Sequence, residues 1–264
     1  TFAPSNNNII YVGNDGGVYK STDTGFTWAD NNKGLMITQF YALNLDLLKK
    51  NRNFGGTQDH GTLGNPNNDW KMLVGGDGFD TFLHPNDPNI LFGEVYYGDV
   101  FRFDINKNSY KFLNNGLKED DQGAWHSPFV FDSRNHTMYL GKNAIYASYN
   151  YGDVFFKLTP KNTHNYTAIA HSKKNSRIIF AGDRMGKIIF TTDAGITWSQ
   201  VTSADLPGKY ITDIESSALN DSVYWVAYSG FSNKHIFKTI DLGKSWKQID
   251  LNLPDIPVND LVLH

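Results

Sequence analysis

Two short stretches of this 264-residue chain gather side chains of the kind that move protons or hold ligands. Gln58-Asp59-His60 stands upstream of Gly75-Gly76-Asp77-Gly78. Asp59 and Asp77 form a carboxylate pair suited to general acid–base work if the fold brings both to one substrate. With Gln58 and His60 they could instead hold a polar ligand or a cation. The alternative is structural: Gln58 and Asp59 cap a turn, and the glycines allow close strand approach. The second concentration is Trp125-His126, inside the polar stretch LKEDDQGAWHSP (Leu117–Pro128). An exposed Trp there would stack on a sugar ring or pack on a protein partner; the alternative is a Trp that covers the end of a sheet. The eight His show no HExxH spacing, and the Asp-rich turns lack the twelve-residue calcium-loop pattern. No metal ligand set is assigned on that basis, and no cofactor is expected.

A further set of carboxylates is repeated. STDTGFTW (Ser21–Trp28), TTDAGITW (Thr191–Trp198) and TIDLGKSW (Thr239–Trp246) share the pattern Ser/Thr-x-Asp-x-Gly-x-x-Trp. SYNYGDVF (Ser148–Phe155) is a worn copy with Asn150 and Phe155 at the third and eighth places. Residues repeated in every unit serve the repeat more often than a single site. Ser21, Asp23, Gly25 and Trp28 therefore read as turn formers, as do Asp193, Gly195, Trp198, Asp241, Gly243 and Trp246. The hydroxyl and the Asp bond nearby backbone N–H groups. The Gly supplies a left-handed position, and the Trp on the outgoing strand folds back over the turn.

Short apolar runs frame these turns. IIYVG (from Ile9), NFGGT (Asn53), ILFGE (Ile90), TMYLG (Thr137), IIFAG (Ile178) and VYWVA (Val223) begin 44, 37, 47, 41 and 45 residues apart. That spacing fits four short strands per unit, the period of a propeller blade. Aromatic residues at 14% together with 24 Gly suit short strands and tight turns. The expected fold is all-β: a β-propeller of four-stranded antiparallel blades with six repeat units, either a six-bladed ring or part of a seven-or-more-bladed one. YALNLDLLKK (Tyr41–Lys50) aligns with the first strand of the other units and is read as strand rather than helix. VNDLVL (Val258–Leu263) reads as one more first strand, with His264 at the position of Ala3, which could complete the first blade. No linker composition interrupts the chain, so residues 1–264 are expected to form one domain. The opening TFAPSNNNIIYVG lies inside a repeat, so a piece of a longer polypeptide is expected.

Charge and composition narrow the partners. The net charge of −3 gives no nucleic-acid footprint. Five Arg against 19 Lys argue against Arg-rich anion recognition. Cysteine is absent, which excludes disulfides, cysteine nucleophiles and cysteine metal sites. No apolar run approaches the ~18 residues of a membrane helix, so no membrane insertion is expected.

The repeated turn is identified as the Asp-box, or BNR repeat, and resembles that of sialidases, sortilin-type propellers and xyloglucanase-like glycoside hydrolases. GGTQDHGT (Gly55–Thr62), GGDGFDTFLHPNDPNILFGE (Gly75–Glu94) and LPDIPVNDLVLH (Leu253–His264) are similar to sortilin-like and "glycosyl hydrolase, BNR repeat" proteins of Bacteroidota and similar bacteria. The resemblance implies a secreted or cell-surface setting and a partner that is protein or polysaccharide. Sialidases would need three face arginines and an early Phe-Arg-Ile-Pro motif, which this chain lacks. Xyloglucanase-like enzymes carry a catalytic Asp in a loop resembling TDVGGAYRWD. Here NDGGVYKSTD (Asn14–Asp23) places Asn14 at that position with Asp15 one residue off, and VYYGDVFRFD (Val95–Asp104) places Tyr96 there. The expectation is therefore a non-catalytic binding module, with glycoside hydrolysis as the alternative and Asp15, Asp59 and Asp77 as its candidate carboxylates.

The box turns join third and fourth strands, so loops after second and fourth strands share the opposite end of each unit. Those loops would carry any binding site: Gln58, Asp59, His60, Asp77, Tyr96, Tyr97, Trp125, His126 and Arg184 are the candidate ligand-binding residues.

Overall fold

The computed structural model describes residues 1–4, 6–46, 49, 51–66 and 69–263. It contains six four-stranded antiparallel sheets, each formed by four strands consecutive in sequence. The first sheet is β1 (Phe2–Ala3), β2 (Asn6–Asn14), β3 (Gly17–Ser21) and β4 (Ala29–Asp30). The second is β5 (Phe40–Leu45), β6 (Asn53–Thr57), β7 (Gly61–Gly64) and β8 (Lys71–Val74). The third is β9 (Gly78–His84), β10 (Asp87–Val95), β11 (Asp99–Asp104) and β12 (Ser109–Phe112). The fourth is β13 (Phe129–Asp132), β14 (Thr137–Gly141), β15 (Ile145–Ser148) and β16 (Phe156–Lys157). The fifth is β17 (Tyr166–His171), β18 (Ile179–Asp183), β19 (Ile188–Thr191) and β20 (Ser199–Gln200). The sixth is β21 (Ile211–Ser216), β22 (Tyr224–Tyr228), β23 (Ile236–Thr239) and β24 (Lys247–Gln248). The only helical turn among the described residues is a 3-10 turn at Tyr96–Gly98.

The six apolar runs coincide with the second strands of the sheets, β2, β6, β10, β14, β18 and β22, with Ile178 and Val223 one residue ahead of theirs. The contacts divide the chain into two compact units, Thr1–Phe79 and Asp80–His264, with the boundary inside β9. In the second unit, β14 and β15 are buried along their whole length, as is β18. Strands covered on both faces read as continuous apolar runs rather than alternating ones, which is why TMYLG and IIFAG stand out in the sequence. Three apolar clusters fill this unit. Phe92, Met138 and Tyr146 belong to the first, Ile145, Ile169 and Ile179 to the second, and Phe180, Tyr224 and Trp246 to the third. The outer strands β16, β20 and β24 are two residues long, which limits the unpaired edge.

In the first unit the double glycine of NFGGT has a direct cause. A Cβ on Gly56 would lie 2.1 Å from the Gly78 carbonyl carbon. The backbone between Val74 and Phe79 approaches that closely only because no side chain intervenes.

Two sequence expectations at the ends of elements change. YALNLDLLKK is strand only over Tyr41–Leu45, inside β5, while Leu47, Leu48 and Lys50 lie outside the described residues. VNDLVL forms no strand, and the outer strand of the first sheet is β1, while His264 lies outside the described residues. The segment's backbone groups are taken by side chains instead. Thr212 Oγ1 donates to Val258 O at 2.7 Å, and Leu261 N–H donates to Asp213 Oδ2 at 3.0 Å. An apolar pattern of this length is satisfied as well by side-chain anchoring as by a ladder, and the sequence does not separate the two.

Candidate functional site

Each Asp-box is a closed hydrogen-bond set. In the first copy Gly25 N–H donates to Ser21 Oγ at 2.8 Å and Thr27 N–H to Asp23 Oδ1 at 2.9 Å. Thr27 Oγ1 donates to Asp23 Oδ2 at 2.6 Å, and the Trp28 indole N–H to Gly25 O at 3.1 Å. The Asp193 and Asp241 copies repeat these bonds. In the worn copy Asn150 Oδ1 still accepts from Val154 N–H at 3.0 Å. Hydrogen bonds from Thr27 hold the Asp23 carboxyl down to about 2; those from Thr191 and Thr197 do so for Asp193, and those from Ser245 for Asp241. Both oxygens of each box carboxylate are thus engaged by its own turn. The glycines are left-handed as expected, and so are the residues before them: Thr24, Tyr151, Ala194 and Leu242 have φ of 61°, 57°, 65° and 59°. The sequence pattern does not reveal that second left-handed position, because its residue type varies from copy to copy.

In the first unit, Gln58, Asp59 and His60 occupy the β6–β7 turn and Asp77 the approach to β9. Asp77 Oδ1 accepts the Asp59 N–H at 2.8 Å, and Asp59 is left-handed at φ 61°. His60 Nε2 lies 3.1 Å from Gly16 O and its Nδ1 3.3 Å from Gln58 O. Gln58 N–H donates to Gln39 O at 3.0 Å. Asp15 sits exposed in the β2–β3 turn. The polar groups of this cluster are thus spent largely on backbone, with Asp77 capping the turn that carries Asp59.

In the second unit, the β10–β11 loop and the long β12–β13 loop meet. Tyr96 stacks on Trp125 with ring centroids 5.6 Å apart and 14° between planes, while Tyr97 meets Trp125 edge-on at 5.3 Å. All three rings are exposed, by 39%, 53% and 47% for Tyr96, Tyr97 and Trp125, so the cluster is a surface platform and not core. Tyr97 is held in the left-handed region at φ 64°, and its N–H donates to Trp125 O at 3.2 Å. Beside the platform lies a cleft of about 680 Å³ lined by Tyr97, Asp99, Trp125, Lys142, Arg184 and Tyr210, among others. Lys142 is nearly buried; burial lowers its pKa, and its Nζ lies 3.3 Å from Gly98 O and 3.8 Å from Asp99 Oδ1. Of the residues singled out from sequence, Tyr97, Trp125 and Arg184 come together here.

Next to Trp125, His126 Nε2 lies 3.0 Å from Asp80 Oδ2 and 3.9 Å from Glu94 Oε2. Glu94 is fully buried at the end of β10. Its Oε1 accepts N–H bonds from Ser127 at 2.9 Å and Gly98 at 3.2 Å. Burial pushes the Glu94 carboxyl well above its ordinary value. Burial also opposes the charge on His126, but the Asp80 carboxylate outweighs it and the imidazole rises to about 9. Sequence reading singled out His126 but not Glu94, because Glu94 closes the apolar run ILFGE. A charged residue ending a run that is otherwise buried was the available signal.

Asp213, in β21, is the other carboxyl shifted upward among the described residues. Burial, then the charges of Asp260 and Glu215, push it up to about 7 against an ordinary 3.8. Between those values the folded chain binds more protons at this site than the unfolded chain. Its contribution to stability therefore falls as pH rises from about 4 to 7 and is level above that. Asp213→Asn is expected to gain on the wild type by roughly 2 kcal/mol at pH 8 relative to pH 4, allowing for its partial exposure. Paired urea melts at the two pH values cancel the parallel contributions of Glu94 and His126. A constant difference between the two proteins would refute this assignment.

The chain has recognisable relatives. The family model described as Sortilin-Vps10 (sortilin, neurotensin receptor 3) matches residues 143–260. A xyloglucanase, Xgh74A of Acetivibrio thermocellus, is 30% identical over 101 residues, 31% of this chain; the match spans only 12% of that enzyme's length. Among solved structures, an ancestral GH74 enzyme aligns with a TM-score of 0.65 and 19% identity, over 94% of this chain and 37% of that one. YCF48 from Cyanidioschyzon merolae aligns with a TM-score of 0.60 and 16% identity, over 95% and 84%. A further YCF48 structure, bound to D1 peptide, aligns at 0.59 with 12% identity, over 96% and 82%. These solved structures share the fold with this chain. The six sheets, the three intact boxes and these likenesses converge: the chain is an Asp-box (BNR) repeat β-propeller of four-stranded antiparallel blades, similar to sortilin-like and xyloglucanase-like proteins.

Proposed function

We propose that this chain is a non-catalytic binding module of a secreted or cell-surface protein, and that it takes a glycan or a protein segment on the Tyr96–Tyr97–Trp125 platform. The observation that carries this reading is the exposure of three aromatic rings in mutual contact, one pair stacked and the third ring edge-on, beside a cleft with both charge signs. Aromatic faces with polar edges suit sugar rings and peptide backbones alike. The resemblance to extracellular BNR proteins supports the setting, and the absence of a basic stripe argues against nucleic acid. YCF48 bound to D1 peptide is a precedent for a peptide on this fold, and the xyloglucanase for a glucan.

The test is a panel of xyloglucan and β-glucan oligosaccharides titrated against wild type and Trp125→Ala. Truncating a central aromatic anchor removes about 2 kcal/mol or more, roughly a thirtyfold loss of affinity. Binding of a glycan that survives Trp125→Ala unweakened would overturn the platform. If no glycan binds, the protein-segment form of the reading is the one left standing.

Glycoside hydrolysis is the second reading, and one observation favours it. Ligand-capable oxygens of Asp80 and Glu94 lie within 4.8 Å of each other, and Glu94 is biased toward its acid form. Retaining glycosidases place two carboxyl groups about 5–5.5 Å apart. Against it, Asp80 is paired with His126 and Glu94 is fully buried, while Asp77 caps its turn. Release of reducing ends from xyloglucan, lost in Asp80→Asn, would establish this reading in place of the first.

A further inference from the structure

Glu94 Oε2 has no hydrogen-bond partner among the described residues although the side chain is fully buried. Such an oxygen, stripped of water and left without a donor, is costly. Its direction is fixed, because the other carboxylate oxygen is held by the Ser127 and Gly98 N–H groups. Oε2 therefore points toward His126 Nε2 and Asp80, and the three ligand-capable atoms lie within 4.8 Å of one another.

We propose that Asp80, Glu94 and His126 form a binding site for a divalent transition-metal ion of the zinc class. The separations fit. Ligands at about 2.0–2.2 Å around a tetrahedral zinc stand roughly 3.4 Å apart. The separations from the imidazole, 3.0 Å from Nε2 to Asp80 Oδ2 and 3.9 Å to Glu94 Oε2, lie on either side of that figure. One imidazole and two carboxylates suit Zn²⁺ or Mn²⁺ better than Ca²⁺ or Mg²⁺, which prefer all-oxygen shells. Zinc takes a neutral imidazole and ionised carboxylates, so binding is expected to release protons. The Ser127 and Gly98 bonds to Glu94 Oε1 are the outer contacts that hold a ligand in orientation. Entry is open, since the His126 side chain is 46% exposed and that of Asp80 32%. Three protein ligands leave a further position facing the solvent side, next to the Trp125 platform. The site does not depend on whether that platform takes glycan or protein.

Calorimetric titration of the chelator-treated protein with ZnCl₂ tests the proposal, with wild type, Asp80→Asn, His126→Ala and Glu94→Gln. Glu94→Gln alters a buried group, so the two partly exposed variants carry the decision, each checked for an unchanged circular dichroism spectrum. The expected result is one Zn²⁺ per chain in the wild type and at least a tenfold weaker affinity in both Asp80→Asn and His126→Ala. Absence of binding to the wild type overturns the proposal. So does less than a tenfold loss in either variant, which would place the ion on other surface histidines. Equal competition by CaCl₂ overturns the assignment of an imidazole ligand. Because the readout is the ion itself, failure of the glycan panel leaves this result unaffected, and the reverse holds as well.

Discussion

Trp246→Ala is expected to cost about 3–5 kcal/mol of stability, the loss typical when a fully packed aromatic is truncated and its cavity remains. Trp246 is 5% exposed and belongs to the cluster with Phe180 and Tyr224. A Cβ on the box Gly243 would lie 3.2 Å from Val201 and 3.4 Å from Phe180, so the turn sits close against the neighbouring sheet. Trp28 occupies the same place in the first box and is 44% exposed, so Trp28→Ala is expected to cost only on the order of 1–2 kcal/mol. Trp198, half-buried against the Tyr139 and Ile179 cluster, falls between. The three indoles donate the same bond to their box glycine, at 3.1, 3.1 and 3.2 Å. The comparison therefore isolates packing from turn chemistry. Urea melts followed by circular dichroism measure it. Equal losses at the three positions would mean that the indole bond dominates and that burial does not set the ranking.

Those three tryptophans also show what a sequence discloses. The box pattern fixes local chemistry, because Ser/Thr, Asp and Gly are each needed by a bond or a dihedral within eight residues. How deeply each Trp is buried depends on the neighbouring sheet, which the box does not encode. The second strands were legible for the same reason: TMYLG and IIFAG are covered on both faces and must be apolar throughout. VNDLVL has the same apolar look yet forms no strand, since Thr212 and Asp213 supply its partners from a distant element. The candidate site follows this rule. Trp125 and Tyr97 were visible as aromatics in polar loops. Glu94 was hidden at the end of an apolar run, and its meeting with Asp80 and His126 spans three elements with no fixed spacing. Loops after second and fourth strands are free to vary because the box turns and strand ladders carry the stability elsewhere.

Arginine placement sharpens that division between scaffold and site, and it carries the last large effect. Arg134 lies in the β13–β14 turn, and its guanidinium clasps Asp132 with Nε–Oδ1 at 2.9 Å and NH2–Oδ2 at 2.6 Å. The same group donates to Ser172 O, which ties this turn to the fifth sheet. Asp132 is fully buried. Burial alone would raise its carboxyl, but the Arg134 hydrogen bonds and His171 outweigh it and hold it below its ordinary 3.8. Arg134→Ala is expected to cost about 3–5 kcal/mol, because it strands a buried charge. Arg134→Lys should recover only part of this, since an ammonium cannot reproduce the two-pronged contact. The partly exposed Arg102–Asp153 pair, at 2.9 Å, is the control, and Arg102→Ala is expected to cost less than about 1 kcal/mol. The pH dependence has a definite sign. A depressed folded pKa contributes stability above the unfolded value near 3.8 that is lost as pH falls through the folded pKa, so the gap between wild type and Arg134→Ala should narrow in acid. Urea melts at pH 7 and pH 3 read both effects. If Arg134→Ala cost no more than Arg102→Ala at pH 7, the turn pair would be ornament to the fold. The arginine would then be available for recognition, as sialidase-type chemistry would require.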